Sequence, residues 1–583
     1  MIDRWLSNNR GGRSSTLYWG EDPPRLEKGT TKRIPDANIA ERLRARAEER
    51  PDAIALHIPS GLDSSGERTY TSLTFRQLDH DVDRICHALA NHGLTRGMRT
   101  VLMVPPSAEF FSLTFALFRL GAIPVFVDPG MGLPSLKDCL GRARPEAFIG
   151  IPKAQIARLL FGWGRGSVRF PITVGSRVPF GGPPLEKLRR RTEPRVRYDG
   201  PNTRSDEMAA ILFTSGSTGT PKGAVYHHAI FPAQVDQLAR HYEIEPGEID
   251  LPTFPLFGLF DVALGMTAVV PSMDFTRPGK ADPEELRKAI ERFQVTNLFA
   301  SPALLKNLAR HAEKENVNFP TLRRVLSAGA PVPASEIARL AGRLSDGAEV
   351  HTPYGATESL PVATIGSGEL LSETREKTTA GAGVCVGKPL PEIEVRIIEV
   401  HDRPLDSIDE AVEVAPGEVG ELCVRGTIVS REYFDHEEGN RLGKITDGET
   451  VWHRMGDLVR ADEQGRLWFQ GRKAHRVWTA DGPLDTIATE SVFNEHPAVA
   501  RTALIGLGPQ GRQLPVLCVE KEAGGAGNGI SDESLFAELR ALGEKAGLPP
   551  MSSMKIHPEF PVDIRHNAKI FREKLVTWVG EAR

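Results

Sequence analysis

Hydrophobic and polar positions alternate along the first part of the chain with two different periods. From Asn38, the run IAERLRARAEER places apolar residues at helical spacing, and Pro51 follows it, so we expect a helix that ends before this proline. The runs IALHI and TVLMV are short and continuously apolar, which predicts strands. Helical patterns such as VDRICHALANHGL lie between these strands. This alternation predicts parallel βαβ units whose sheet is covered on both faces.

Residues 110–127, FFSLTFALFRLGAIPVFV, are the stretch nearest in character to a membrane span. Arg119 lies in the middle of this stretch, and Gly121 and Pro124 interrupt any continuous helix, so we do not expect it to cross a bilayer. It predicts instead a buried helix ending near Leu120, a turn and a short strand. The first residues, MIDRWLSNNRGGRSS, have no apolar core of the kind that a secretory signal needs.

The pattern changes further along the chain. Short runs such as VRIIEV and GELCVRG, with Gly and Pro turns, predict a small β unit around residues 380–430. After GRK at 471–473, the last segment mixes short strands and helices. We therefore expect a polar extension over 1–37, a large domain over 38–471 and a small domain over 472–583. The predicted fold class is α/β and α+β: βαβ-type sheets and a β-barrel-like unit in the large domain, and a mobile α+β C-terminal domain.

The composition and net charge argue against several classes of protein and site. The 583 residues carry 72 Lys and Arg against 76 Asp and Glu, a net charge of −4, which argues against a dedicated nucleic-acid binder. The cysteines are scattered and form no CxxC pair, so neither a zinc site nor a disulfide framework is expected. A reducing, cytoplasmic location fits this pattern best.

Residues 151–200 are strongly basic, with eleven Lys or Arg against three acids, beside the apolar run LLFGWG at 159–164. One interpretation is a solvated basic face. The other is a surface that contacts a membrane peripherally or docks a partner protein, since basic residues beside exposed apolar ones favour anionic lipid. The sequence leaves both interpretations open.

The sharpest local signal is the loop TSGSTGTPKG, which directly follows the apolar strand MAAILF. Backbone N–H groups and hydroxyls in such a loop can surround phosphate oxygens, and its lysine adds a positive charge. The GxxxxGK[ST] spacing of the Walker loop is absent. The predicted phosphate-binding residues are Thr214, Ser215, Gly216, Ser217, Thr218, Gly219 and Lys222.

Together with further motifs in order, this loop resembles that of the adenylate-forming superfamily, which includes acyl-CoA synthetases, luciferases and peptide-synthetase adenylation domains. The motifs are YGATE at 354–358, SAGAPVP at 327–333, HRMGD at 453–457 and GRK at 471–473. The resemblance implies an enzyme that uses ATP and Mg²⁺ and binds both ATP and an acyl group in its large domain. It assigns adenine stacking to Tyr354 beside Gly355, α-phosphate contact to Thr357, Mg²⁺ to Glu358, ribose to Asp457 and Arg472, and the adenine and acyl walls to Gly329, Ala330 and Pro331. A carboxylate and a triphosphate repel each other, so their proximity requires a hard cation between them.

The C-terminal run PVDIRHNAKIFREKL at 561–575 is similar to the superfamily's signature around its catalytic lysine, which makes Lys569 that residue in a C-terminal lid domain. A mobile ammonium that bridges the carboxylate and the α-phosphate lowers their repulsion. Two positions depart from the common pattern: Ala568 replaces a glycine, and Ala474 replaces a charged hinge residue. The alanine at the hinge weakens the case for a domain rotation that admits coenzyme A.

Several strings are similar to one branch of the superfamily, the β-lactone synthetases of bacterial long-chain olefin biosynthesis: PVDIRHNAKI, LPTFPLFGLFD, VDPG, AFIGIP, TPYGATE and HRMGD. The likeness implies that ATP activates a 2-alkyl-3-hydroxy fatty acid, and that the acid's own hydroxyl closes a β-lactone. It also implies olefin-pathway enzymes as possible partners.

Phe254, Phe257 and Phe260 would suit the alkyl chain of such a substrate, and plain core packing is an equal alternative. A base for the hydroxyl could come from four candidates, of which His228 matches a superfamily histidine that positions groups: His227, His228, His453 and His566.

Two other functions remain open from the sequence. One is a long-chain fatty acyl-CoA synthetase or a fatty acyl-AMP ligase. The other is a non-catalytic nucleotide-binding scaffold, against which the intact Lys222, Glu358, Asp457, Arg472 and Lys569 argue.

Overall fold

The computed structural model describes residues 37–128, 131–192, 196–214, 221–523, 526–563 and 569–581. Nearly all of the expected N-terminal extension therefore lies outside the described residues. The chain has a large mixed α/β portion with extensive sheets and a smaller C-terminal α+β portion, as the sequence predicts. No helix within the described ranges combines the length and hydropathy that crossing a bilayer requires.

A six-stranded sheet carries the candidate phosphate loop. Its strands are β3 (Arg99–Met103), β4 (Ile123–Phe126), β5 (Ala147–Gly150), β6 (Phe170–Thr173), β7 (Met208–Thr214) and β8 (Lys222–His227). The spatial order is β6-β5-β3-β4-β7-β8, and all neighbours are parallel except β7 and β8. The associated helices are α2 (Phe75–His92), α3 (Ala108–Leu120), α4 (Leu133–Ala143), α5 (Pro152–Phe161) and α6 (Leu185–Arg189). The predicted βαβ units are confirmed.

The helix and strand expected over residues 110–127 are α3 and β4. Ser107 caps the helix by accepting the N–H of Phe110, and Gly121 ends it in the left-handed conformation at φ 71°. Arg119 is buried and donates to the carboxylates of Asp79 (2.5 Å) and Asp83 (2.7 Å). The charge that interrupts the apolar pattern is therefore compensated inside the fold.

A second, seven-stranded sheet has the order β13-β12-β11-β9-β10-β1-β2 and is parallel except where β1 meets β2. Its strands are β1 (Ile54–Leu62), β2 (Arg68–Thr74), β9 (Ile249–Pro252), β10 (Thr267–Val269), β11 (Asn297–Ala300), β12 (Arg324–Ser327) and β13 (Glu349–His351). Its helices are α1 (Ile39–Glu49), α7 (Ile230–His241), α8 (Phe257–Leu264), α9 (Pro283–Phe293), α10 (Pro302–Lys314) and α11 (Ala334–Ala341).

The β unit expected around residues 380–430 is an eight-stranded antiparallel sheet that extends from Tyr354 to Arg472. Its strands are β14 (Tyr354–Ala356), β15 (Ser359–Thr364), β16 (Val384–Pro389), β17 (Glu394–Ile398), β18 (Gly420–Arg425), β19 (Lys444–Asp447), β20 (Thr450–Ala461) and β21 (Leu467–Arg472). Its short helices are α12 (Ser367–Glu369), α13 (Arg375–Lys377) and α14 (Glu437–Gly443).

The C-terminal portion begins with a small hairpin and continues as a three-stranded sheet packed with helices. The strands are β22 (Val477–Thr479), β23 (Gly482–Leu484), β24 (Val499–Leu507), β25 (Leu514–Lys521) and β26 (Ser553–Ile556). The helices are α15 (Thr486–Phe493), α16 (Ala526–Gly529), α17 (Asp532–Lys545) and α18 (Arg572–Glu581). Gly471, at the junction, has φ 137°, and a β-carbon there would lie 2.5 Å from Oγ1 of Thr486, so the junction requires glycine.

Candidate functional site

The parallel strands bring the candidate residues to sheet edges of the same polarity. Strand β7 runs into the candidate phosphate loop, and β9, β12 and β13 are followed by Phe254, Gly329 and Tyr354. In open α/β sheets, ligands bind beyond the carboxyl ends of the strands. Topology alone thus directs segments far apart in the sequence to the carboxyl ends of strands in two sheets.

Two adjacent strands fix the ends of the phosphate loop. Thr214 pairs with Lys222 in the antiparallel register of β7 and β8. Five of the predicted phosphate-binding residues lie outside the described residues: Ser215, Gly216, Ser217, Thr218 and Gly219. Gly329, on the loop after β12, has φ 106°, which favours glycine, and Ala330 and Pro331 follow it.

Tyr354, Asp457 and Arg472 form one hydrogen-bonded group. The Tyr354 hydroxyl donates to Oδ2 of Asp457 at 2.6 Å, and an Arg472 N–H donates to Oδ1 at 2.7 Å. Asp457 and Arg472 are cross-strand partners of β20 and β21, which explains their proximity. The Asp457 carboxylate raises the pKa of Arg472, and burial together with Asp457 raises that of Tyr354. The Asp457 carboxylate is thus held by two donors beside an aromatic ring.

Glu358 is connected to a second group through Tyr433. The Tyr433 hydroxyl donates to Oε1 of Glu358 at 2.7 Å, and two ammonium groups lie over the Tyr433 ring, Lys222 at 5.1 Å and Lys444 at 5.0 Å. Two lysine side chains thus lie close to one aromatic ring next to the candidate metal ligand.

Electrostatics keep Glu358 ionised. Burial raises the pKa of Glu358, but His453, the Tyr433 hydroxyl and Lys444 together hold it below its usual value. Burial lowers the pKa of His453 to about 3, so this imidazole is neutral at pH 7 and the other two groups carry the effect there. Burial also lowers the pKa of Lys444 to about 7.

The candidate histidines are neutral, weak bases. His228 is 1% exposed, and burial lowers its pKa to about 4; burial lowers the pKa of His227 as well. Nδ1 of both rings has no hydrogen-bond partner among the described residues, whereas Nδ1 of His453 lies 3.0 Å from the Gly443 carbonyl. His566 lies outside the described residues. These environments favour positioning by His228 over proton abstraction.

The three candidate acyl-pocket residues form one aromatic cluster. The Phe257 ring lies 5.5 Å from that of Phe254 and 6.0 Å from that of Phe260, and it stacks on Phe299 at 3.8 Å. The three candidates are only partly buried, unlike Phe299 at the end of β11. The cluster is therefore a partly accessible apolar surface above the strand ends.

Lys569 is exposed on a closed loop. Its N–H donates to Oδ1 of Asp563 at 2.9 Å, and the Asp563 N–H donates to the Lys569 carbonyl at 3.0 Å. Ala568 lies outside the described residues. The pairing fixes the backbone of Lys569 at the base of this loop.

Three site residues are missed by the motifs: Tyr226, Tyr433 and Lys444. The Tyr226 hydroxyl donates to the Thr357 carbonyl at 2.7 Å and so holds the loop that carries Glu358. Tyr433 reaches the site because its segment pairs with β8 at Ala224. An aromatic residue in the run REYF is a weak signal, and nothing in the run around Lys444 marks it as a site residue.

Comparisons with known proteins agree with this geometry. The family model described as "AMP-binding enzyme" matches residues 43–434. The chain is 50% identical over 553 residues to the olefin beta-lactone synthetase of Stenotrophomonas maltophilia, covering 93% of this chain and 98% of that protein. The corresponding protein of Xanthomonas campestris pv. campestris is 47% identical over 563 residues, covering 94% and 98%.

A solved structure supports the fold independently. The o-succinylbenzoate coenzyme A synthetase of Bacillus subtilis, in complex with ATP and magnesium ion, superposes with a TM-score of 0.71 at 21% identity. The match covers 92% of this chain and 98% of that one.

Proposed function

The chain belongs to the AMP-binding enzyme family, and from this premise we propose that it converts a long-chain 2-alkyl-3-hydroxy fatty acid into a β-lactone with ATP. The choice of a lactone rests on one observation, the 50% identity over 93% of the chain to an olefin beta-lactone synthetase. The buried carboxylate of Glu358, whose pKa is lowered, supports the activation of an acid by ATP.

The proposed reaction has two steps. A carboxylate oxygen of the acid attacks the α-phosphorus of ATP, pyrophosphate leaves, and a mixed anhydride with AMP forms. The oxygen of the 3-hydroxyl then attacks the activated carbonyl, the bond to AMP breaks, and the hydroxyl proton is released to water. Because the nucleophile belongs to the same molecule, holding it near the carbonyl supplies much of the acceleration.

We assign the binding of ATP to residues around the two groups described above. Tyr354 and the segment Gly329–Pro331 would contact the adenine, and Asp457 with Arg472 would bind the ribose hydroxyls. Thr357, Lys222 and the loop from Thr214 would contact the phosphates. Asp457 suits this role because its carboxylate is held in place by two donors.

Glu358 is the proposed Mg²⁺ ligand. The residues fit this ion, since Glu358 is a buried carboxylate with a lowered pKa and hard cations prefer such oxygens. When bound, Mg²⁺ would neutralise charge on the phosphates. Tyr433 and Lys444 keep the carboxylate ionised and oriented.

Lys569 is proposed to bridge the carboxylate and the α-phosphate in the first step, and His228 to position the reacting groups. Phe254, Phe257 and Phe260 would line the alkyl chain, where each buried methylene contributes about 0.8 kcal/mol.

We place this chemistry in the cytoplasm. All five cysteines are buried thiols without a disulfide, and burial raises the pKa of Cys86 to about 12. Unreactive thiols of this kind are typical of reducing compartments.

The decisive experiment incubates the protein with ATP, Mg²⁺ and a 2-alkyl-3-hydroxy acid in the absence of any thiol. We expect lactone, AMP and pyrophosphate in equal amounts, measured by mass spectrometry and phosphate-coupled assays. The matched acid without the 3-hydroxyl should be activated and yield no lactone. Strict dependence on coenzyme A, or nucleotide binding without turnover, would overturn the proposal.

The assignment of Lys569 has its own test. Lys569→Ala should reduce pyrophosphate release by at least a hundredfold while leaving the unfolding midpoint unchanged, since only the bridging cation is lost. Lys555→Ala, an exposed lysine on β26, is the control and should retain full activity. Near-normal release by Lys569→Ala would contradict the assignment.

A further inference from the structure

Helix α5 buries a glutamine side chain and exposes several apolar ones. Gln155 is fully buried and donates to the carbonyls of Phe148 (3.3 Å) and Ile172 (2.8 Å). Leu160, in contrast, is 75% exposed. A surface helix normally turns its apolar side inward, so this arrangement requires an explanation outside the fold of the chain itself.

The exposed apolar residues of the molecule are concentrated at this helix. Of the twelve large hydrophobic side chains exposed among the described residues, five lie within 156–180: Ile156, Leu159, Leu160, Phe161 and Phe180. Phe180 is 84% exposed and is held beside the helix, because Arg158 of α5 donates to its carbonyl at 3.1 Å. Clusters of exposed apolar residues mark interaction sites, whereas single ones do not.

The charge around this cluster has one sign. Residues 152–180 contain five Lys or Arg and no acid. Lys153, Arg165 and Arg177 are exposed. In the part of the chain that the structure describes, no ion pair is made by Lys153, Arg165 or Arg177.

Further along the basic region, three arginines form ion pairs with acidic residues. Arg189 pairs with Asp81 at 2.9 Å, Arg190 with Glu186 at 2.9 Å, and Arg197 with Glu48 at 3.5 Å. Three arginines among residues 186–199 are therefore compensated by acids, unlike Lys153, Arg165 and Arg177.

We propose that α5 and the Phe180 turn form a membrane-docking surface that inserts Leu160 and Phe180 among the headgroups of an anionic bilayer. Unpaired cations around the apolar side chains would contact the lipid phosphates, each contributing about 1 kcal/mol near an anionic surface. An acidic protein partner is less consistent with these observations, since five exposed apolar side chains beside unpaired cations match a bilayer, which has an apolar interior and anionic headgroups. The proposal goes beyond the reaction above and does not depend on it.

The test is flotation of the full chain with vesicles of phosphatidylglycerol and phosphatidylcholine, in the absence of ATP and acid. We expect binding to the anionic vesicles that weakens with salt, and little binding to pure phosphatidylcholine. Leu160→Asp with Phe180→Asp should reduce binding more than tenfold, whereas the matched control Leu62→Asp, 60% exposed on β1, should not. Arg165→Gln with Arg177→Gln should weaken binding about fivefold per charge removed. The control for this charge variant is Arg190→Gln with Arg197→Gln, which removes two arginines that are paired with acids and should leave binding unchanged.

Three results would overturn the proposal. The first is the absence of binding to any vesicle, and the second is equal binding to neutral and anionic vesicles. The third is an effect of the surface variants on protein self-association alone, which would identify a protein interface instead. Pyrophosphate release without vesicles should be the same in every variant, so a failure here is distinguishable from a failure of the proposed reaction.

Discussion

At the scale of single residues, Tyr433 contacts both acidic and basic side chains of the candidate site. Its hydroxyl donates to one oxygen of Glu358, and the ammonium groups of Lys222 and Lys444 lie 5.1 and 5.0 Å from the centre of its ring. The phenol thus orients a carboxylate whose ionised form Lys444 favours. Burial and Glu358 raise the pKa of Tyr433, which keeps the hydroxyl protonated as a donor.

Tyr433→Phe tests this role with little change in volume. The ring beside the lysines remains, but Glu358 loses a donor, and a hydrogen bond to a charged group contributes about 1.5–3 kcal/mol. We expect pyrophosphate release to fall at least tenfold, with a higher Mg²⁺ concentration needed for half-maximal rate. Tyr198→Phe, a partly exposed tyrosine away from the site, is the control. An unchanged Mg²⁺ dependence would be inconsistent with the proposed orientation of Glu358.

Lys444→Met predicts a shift in pH dependence. The Lys444 ammonium favours the ionised form of Glu358, so its removal should raise the pKa of that carboxyl. Activity that needs ionised Glu358 is lost as the pH falls through this pKa, and in the variant the loss should begin at a higher pH. The measurement is pyrophosphate release between pH 4.5 and 8. Lys288→Met, which affects a surface ion pair with Glu67, should keep the wild-type profile.

The motifs named candidate residues for the site but not the contacts that connect them. Asp457 and Arg472 could be named because each lies in a short recognisable run, and their pairing follows from β20 and β21. Tyr433 and Lys444 could not, since their contacts depend on a segment that pairs with β8 across some two hundred residues of sequence. The roles of all these residues remain predictions.

At the scale of elements, the local sequence pattern was sufficient to predict the bounds of a helix where its capping residues and its hydrophobic periodicity agree. Helix α3 and strand β4 have the expected bounds because Ser107 and Gly121 fix the helix ends. Helix α5 shows the limit of the same reasoning, because hydrophobicity alone would bury Leu160 and expose Gln155. The order of strands in the sheets was also beyond the sequence, since it depends on packing between distant segments.

Helix α8 and strand β9 each contribute one carboxyl group to a pH-sensitive pair that the sequence pattern does not reveal. Asp261 of α8 shares a hydrogen bond with Asp250 of β9, and burial raises the pKa of both carboxyl groups. Oδ2 of Asp261 has no hydrogen-bond partner among the described residues. Asp261 lies on the helix that carries Phe257 and Phe260.

Asp261→Asn should stabilise the protein increasingly as the pH rises. A carboxyl group with a raised pKa in the folded state destabilises the protein at pH values above its unfolded-state pKa of about 4. This destabilisation grows with pH until the pH exceeds the folded-state pKa. The amide removes this cost and can donate to Asp250. Urea unfolding should show a larger gain at pH 8 than at pH 5.5, on the order of 1–3 kcal/mol at pH 8. Asp402→Asn at the surface is the control, and a gain independent of pH would contradict the explanation.

At the scale of the whole molecule, the order of the motifs predicted both portions of the fold. The position of the boundary between them, after residue 471, remains a prediction. Contacts nevertheless cross it: Glu522, just after β25, binds Arg310 of α10 at 2.7 Å and Lys306 at 3.6 Å, and Arg310 also binds Glu336. Ser491 of α15 donates to the Thr378 carbonyl at 3.1 Å. These contacts hold the C-terminal portion in one orientation.

Glu522→Gln should therefore loosen this orientation without unfolding either portion. Exposed or partly exposed ion pairs contribute about 0.2–1 kcal/mol, so we expect up to a fivefold increase in the rate of limited trypsin cleavage at Lys473 and Arg476. Glu520→Gln is the matched control, because Glu520 lies two residues before Glu522, on β25, and pairs with Arg501 inside the C-terminal portion. If Glu522 anchors the orientation, cleavage at the junction should accelerate in the first variant only. Equal rates in both variants would mean that the packing of α15 alone fixes the two portions.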